Sequence, residues 1–129
     1  MGCGTGVLAI LAWMKGAKEV TAVDNDQWAY ENSVENLQRN SVPVDNVLLG
    51  NATNIEGKTY QLIFANINRN ILLNDMHYYR ASLEENGKLF MSGFYEADLP
   101  AITAEAARLG MHYVKHLSRN NWVAAVFIR

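Results

Sequence analysis

The sequence has a single cysteine, Cys3, in 129 residues. No disulfide can close within the chain, so a reducing, cytoplasmic setting is expected. No run approaches the roughly 18 uninterrupted apolar residues of a membrane span. The chain opens on glycines with no basic stretch, so no signal peptide is expected. Positive and negative side chains nearly balance, at a net charge of −2. That leaves no electrostatic case for strong nucleic-acid binding. There is no internal repeat and no low-complexity tract. Three histidines are too few and too scattered for a metal centre. His112 and His116 are four apart, a spacing that suits metal on a helix. Their stretch reads as a strand, where the two would share one face away from any crevice, so no metal is expected.

The chain is half hydrophobic, ordinary for a globular protein, and its length fits one domain over residues 1–129. It is organised around its first residues, Met1-Gly2-Cys3-Gly4-Thr5-Gly6, which run directly into the apolar stretch Val7–Met14. Glycines alternating with small residues before a helix allow a tight turn and the close approach of a ligand to backbone N–H groups. The stretch Val7–Met14 reads as a helix buried on most sides, or one packed between a sheet and a second layer, closed by Lys15 and Gly16.

Short β-branched and apolar segments then alternate with helical ones. Val20–Val23 reads as a strand ending at Asp24-Asn25-Asp26, and Asp26 caps a helix from Gln27 to Asn40 with Tyr30, Val34 and Leu37 on one stripe. Val42-Pro43-Val44 breaks that helix. Val47–Leu49 and Tyr60–Ala65 read as strands, closing at Gly50-Asn51-Ala52 and at Asn66-Ile67-Asn68. A helix is expected from Asn70 to Glu85 with Leu72, Met76, Tyr79 and Leu83 buried, stopped by Gly87. Lys88–Ser92 is a strand, and Pro100 opens a helix through Leu109. His112–Leu117 and Trp122–Ile128 form a hairpin about Ser118–Asn121, with the last strand apolar on both faces and interior. This alternation predicts an α/β fold with a three-layer, doubly wound sheet.

The candidate site residues follow from that layout. The loop spacing is G-x-G-x-G. A dinucleotide fingerprint needs G-x-G-x-x-G, and Val7 stands where its third glycine would be, which argues against an NAD- or FAD-dependent oxidoreductase. Cys3 is expected to be a small packed residue. Asp24, at a strand end 18 positions after Gly6, can accept hydrogen bonds from a ribose diol. Asn51 can bond an adenine edge or can serve the turn. Asn66 can accept a hydrogen bond from an amine without protonating it and hold its lone pair in line. Asn68 or Asn70 suits a helix cap.

Gly2-Cys3-Gly4-Thr5-Gly6, Asp24, Asn66 and the closing hairpin together resemble a class I S-adenosylmethionine-dependent methyltransferase, with a Rossmann-like sheet. Gly2 through Ile10, Ala65-Asn66-Ile67, Ser92-Gly93-Phe94 and Asn121-Trp122-Val123-Ala124 resemble, more narrowly, the PrmA family. The resemblance implies methylation of lysine side chains and an N-terminal amine of a ribosomal protein, L-eleven. It implies S-adenosylmethionine as cofactor, with Gly2, Gly4, Thr5 and Gly6 toward its methionine and ribose. Asp24 would hold the ribose hydroxyls, Asn51 would lie near the adenine, and Asn66 would touch cofactor and acceptor as the catalytic residue. Relatives read Asp-x-Gly-Cys-Gly at the loop, and Met1 falls at the x. A catalytic domain lacking its first strand and its recognition domain is therefore expected. Open sheet edges would invite pairing with another copy. A non-catalytic, oligomerising remnant of the fold is the alternative reading.

Overall fold

The computed structural model describes residues 1–129. The chain divides into two compact units, Met1–Asn54 and Ile55–Arg129.

In the first unit, α1 (Val7–Met14) precedes β1 (Ala22–Asp24), α2 (Gln27–Arg39) and β2 (Val47–Leu49). The strands β1 and β2 pair in parallel, with Ala22 opposite Val47 and Asp24 opposite Leu49. The expected strand at Val20–Val23 is displaced toward the C-terminus, so Asp24 is itself the last strand residue. Asp26 caps α2 as expected, its carboxylate accepting from the Ala29 N–H at 2.8 Å. Ala22, Leu37, Val42 and Val47 make the core, flanked by Ala9, Ile10 and Trp13 of α1 and by Tyr30, Val34 and Val44. The expectation that α1 is buried on most sides fails. None of its residues is fully buried, and Val7, Leu8, Leu11 and Met14 are exposed. A two-stranded sheet offers surface for only one face of an eight-residue helix.

The second unit holds β3 (Tyr60–Asn66), α3 (Arg69–Ala81), β4 (Leu83–Tyr95), α4 (Leu99–Arg108), β5 (His112–Arg119) and β6 (Trp122–Ile128). Its sheet has the order β3-β4-β6-β5. β3 and β4 are parallel, while β6 runs antiparallel between β4 and β5. Leu72, Met76 and Tyr79 of α3 and Ile102 and Ala106 of α4 are buried, as are Leu89, Met91 and Phe127 of the sheet.

Three features of this unit depart from what the sequence predicts. The helix predicted to reach Glu85 ends at Ala81, with Ser82 as its C-cap, and Gly87 lies inside β4. Leu83 continues the three- and four-residue spacing of Leu72, Met76 and Tyr79, which mimics a helical stripe. Its backbone instead pairs with Tyr60, and the Ser82 hydroxyl donates to the Ile55 carbonyl at 3.1 Å. The last strand is interior in its pairing but buried on one face only, with Val123, Ala125 and Phe127 inward and Trp122 and Ala124 exposed. The histidines do not share a face. Val114 is an extra residue in β5, so His112 stands opposite Ile128 and His116 opposite Ala125, positions of opposite parity on β6.

The hairpin turn is Asn120-Asn121, both at positive φ (51° and 68°). That is the primed turn a twisted hairpin favours, and asparagine tolerates it.

Candidate functional site

The glycine loop is stitched to β1. The Cys3 N–H donates to the Val23 carbonyl at 3.1 Å, and the Gly6 N–H to the Cys3 carbonyl at 2.7 Å. The Gly4 N–H donates to Asp24 Oδ2 at 3.0 Å, and the Asp26 N–H to Asp24 Oδ1 at 3.1 Å. Three loop N–H groups are thus already engaged within the protein, which narrows what the loop can offer a ligand. Asp24 is half-buried. Each of its oxygens accepts one backbone N–H and keeps a second lone pair.

Gly2, Gly4 and Gly6 all take positive φ, at 65°, 55° and 81°. Their surroundings differ. A Cβ on Gly6 would lie 2.7 Å from Leu37 Cδ1, so the absent side chain lets the loop sit on α2. A Cβ on Gly4 would meet nothing within 4 Å, so that face of the loop is open. Thr5 is exposed beside it.

Two residues unforeseen from sequence hold this loop from below. The Ser33 hydroxyl, fully buried, donates to the Gly4 carbonyl at 2.9 Å, and Asn36 Nδ2 donates to the Thr5 carbonyl at 2.9 Å. The available signal was a lone serine on the otherwise apolar stripe of α2. Cys3 Sγ lies 3.2 Å from Ser33 Oγ. With the hydroxyl proton directed to Gly4, the thiol is the donor of that pair. Burial raises the thiol pKa above its usual value. Cys3 is therefore a protonated, packed residue, as expected from sequence.

Asn51 sits just beyond β2, where the Gly50 N–H donates to the Asp24 carbonyl at 2.8 Å. Its Oδ1 accepts from the Thr53 N–H at 2.9 Å and from the Thr53 hydroxyl at 2.7 Å. The side-chain oxygen thus serves the turn Ala52–Ile55, and the amide nitrogen is what the residue has to offer a ligand.

Asn66 belongs to the second unit, at the end of β3. Its Oδ1 accepts from the Ser92 hydroxyl at 3.1 Å, and the Ile67 N–H donates to the Ser92 carbonyl at 3.1 Å. Gly93 is the extra residue of a bulge in β4, at φ 93°. A Cβ there would be 2.6 Å from the Ile67 carbonyl oxygen, so only glycine lets β4 approach so closely. Asn66, Ser92, Gly93, Leu117, Trp122 and Ala124 line an open groove of about 860 Å³. Beside it the Tyr95 and Trp122 rings pack at a tilt of 35°, with centroids 4.3 Å apart. Asn68 caps α3, accepting from the Ile71 N–H at 3.1 Å.

The site residues therefore fall into two sets. Gly2, Gly4, Thr5, Gly6, Asp24 and Asn51 belong to the first unit, and Asn66 belongs to the second. A glycine loop latched to the carboxylate at the next strand's end, in an α/β chain closed by an antiparallel hairpin, defines the class: a Rossmann-like, S-adenosylmethionine-dependent methyltransferase fold. The solved structure of ribosomal protein L11 methylase from Lactobacillus delbrueckii subsp. bulgaricus superposes with a TM-score of 0.93 at 27% identity, covering 99% of this chain and 67% of that one. TYW2 of M. jannaschii, solved in complex with AdoMet, shares the fold with a TM-score of 0.73 at 18% identity, over 99% of this chain and 65% of that one. The family model for ribosomal protein L11 methyltransferase (PrmA) matches residues 1–129, and the chain belongs to that family. The L11 methyltransferase of Bacteroides fragilis is 50% identical over 129 residues, which are 99% of this chain and 46% of that protein. The chain thus spans about half the length of the curated relatives it matches.

Proposed function

We propose that residues 1–129 act as one methyltransferase catalytic domain that takes methyl groups from S-adenosylmethionine to amines of a ribosomal protein, L11 in its relatives. The observation that carries the cofactor part is the latch between the Gly4 N–H and Asp24. It places a carboxylate with spare lone pairs beside the open face of a glycine loop. The residues fit the cofactor in two respects. A side chain at Gly4 would meet nothing, so space lies over the loop. The Asp24 oxygens can each take a ribose hydroxyl in addition to the N–H they already hold. Gly2, Gly4, Thr5 and Gly6 would line the methionine and ribose end, and Asn51 Nδ2 would reach the adenine.

When bound, S-adenosylmethionine supplies a methyl group on a sulfonium, which is a good leaving group. The chain must hold a neutral amine in line, against a lysine pKa of about 10.4 in water. Asn66 suits that role. Its carboxamide oxygen already takes the Ser92 hydroxyl on one lone pair and can accept an amine N–H on the other. Unlike a carboxylate, it carries no charge that would favour the ammonium form.

The test is transfer of labelled methyl from S-adenosylmethionine to L11, paired with calorimetric titration of S-adenosylhomocysteine. Saturable binding that Asp24→Ala removes supports the reading. No binding at millimolar ligand refutes it.

A further inference from the structure

The glycine loop lies on α2, and two side chains one helical turn apart on that helix grip it. Ser33 donates to the carbonyl of Gly4, and Asn36 donates to the carbonyl of Thr5, both at 2.9 Å. In a planar trans peptide, the C=O and the following N–H point in opposite directions. Drawing the Gly4 carbonyl down onto Ser33 therefore aims the Thr5 N–H away from α2. Drawing the Thr5 carbonyl onto Asn36 fixes the next peptide, whose Gly6 N–H meets the Cys3 carbonyl. Ser33 is fully buried, so its hydroxyl must be satisfied, and it is, by Gly4 on one side and by Cys3 Sγ on the other. Gly6 is in contact with the same helix, since a Cβ there would collide with Leu37 and touch Ser33.

We infer that Ser33 and Asn36 are positioning residues for cofactor binding. They act through the loop rather than on the ligand, by holding the Gly4–Thr5 and Thr5–Gly6 peptides in the orientation that presents the Thr5 N–H outward. The inference rests on the cofactor reading above and adds the residues that set the loop's geometry.

The experiment uses the full chain. Amide hydrogen exchange at Gly4 and Gly6 is followed in the free protein, and S-adenosylhomocysteine affinity is measured by calorimetry. Asn36→Ala is the main variant because Asn36 is only half-buried. Ser33→Ala is the second. Asn40→Ala is the control, since Asn40 makes a similar bond to the Asn36 carbonyl on the same helix, away from the loop. Losing one hydrogen bond of ordinary strength should speed exchange at Gly6 and weaken affinity, each about fivefold, with the control unchanged. Unaltered exchange in Asn36→Ala overturns the inference. Faster exchange with unaltered affinity also overturns it, by reducing the pair to a structural role. An unsubstituted chain that binds no S-adenosylhomocysteine overturns the cofactor reading itself, and the positioning role falls with it.

Discussion

Gly4 and Gly6 look equivalent in sequence, and the structure predicts that alanine at the two positions fails in different ways. Both residues have positive φ, so either substitution places an L side chain in the left-handed region, at a cost of about 1–2 kcal/mol. At Gly4 the added methyl meets nothing within 4 Å, and the cost stops there. At Gly6 it would lie 2.7 Å from Cδ1 of Leu37, a core residue with no exposed surface. Overpacking of that kind adds about 1–3 kcal/mol. For a chain of this size each kcal/mol moves the melting point by about 4 °C. Gly6→Ala should therefore melt roughly 8–20 °C below the parent, and Gly4→Ala only about 4–8 °C below it. Binding should reverse the order. The Gly4→Ala methyl projects into the space a ligand would take and should weaken S-adenosylhomocysteine by at least about tenfold, or about 1.4 kcal/mol. The Gly6→Ala methyl points into α2, so the fraction that stays folded should lose less. Scanning calorimetry and titration calorimetry on the same samples decide the matter. Equal melting losses, or a Gly4→Ala chain that binds like the parent, would refute the reasoning.

Asn66→Asp keeps the shape of the carboxamide but introduces a charge that stabilises an ammonium. Methyl transfer should fall by about tenfold or more while S-adenosylhomocysteine affinity changes little, and recovery of the rate as pH rises would tie the loss to the acceptor's proton. The Tyr79 hydroxyl is buried without a partner, and burial raises its pKa, with Asp75 adding to the shift. Tyr79→Phe should stabilise the second unit by about 1 kcal/mol, and a lower melting point would show that the hydroxyl is satisfied. Cys3 is a thiol whose folded pKa is raised by burial. Its neutral form is the one that folding favours, so its contribution is complete below the unfolded thiol value of about 8.5 and is lost as pH rises through the folded value. Parent and Cys3→Ala melting curves should converge over that alkaline range, and parallel curves would count against it.

The residues that carry local chemistry were legible in the sequence because their signals act within a turn or two. Asp26 caps α2 through Ala29, three residues away, and Asn68 caps α3 through Ile71 in the same way. The family resemblance was legible for the same reason, since a glycine loop, an Asn-Ile pair and a closing hairpin are short strings. Asn51 was open between adenine and turn, and its oxygen is spent on the turn. The apolar stretch of α1 promised deep burial that a two-stranded sheet does not supply.

The sequence by itself determined where the chain turns, which stretches are helical or extended, and which polar side chains stand at strand ends. Glycine, proline, asparagine and the spacing of apolar residues set those outcomes through short-range sterics and hydrogen bonds. Only the tertiary structure decided that Leu83 pairs with Tyr60 instead of extending α3, since strand pairing satisfies backbone groups that no local pattern announces. It alone separated His112 from His116, through one extra residue in a ladder. It alone made Gly6 a packing contact and Gly4 an open face, and brought Ser33 and Asn36 onto carbonyls 29 and 31 residues away. Those contacts depend on where two elements meet in space, and that is fixed by the burial of the whole unit rather than by any stretch of its sequence.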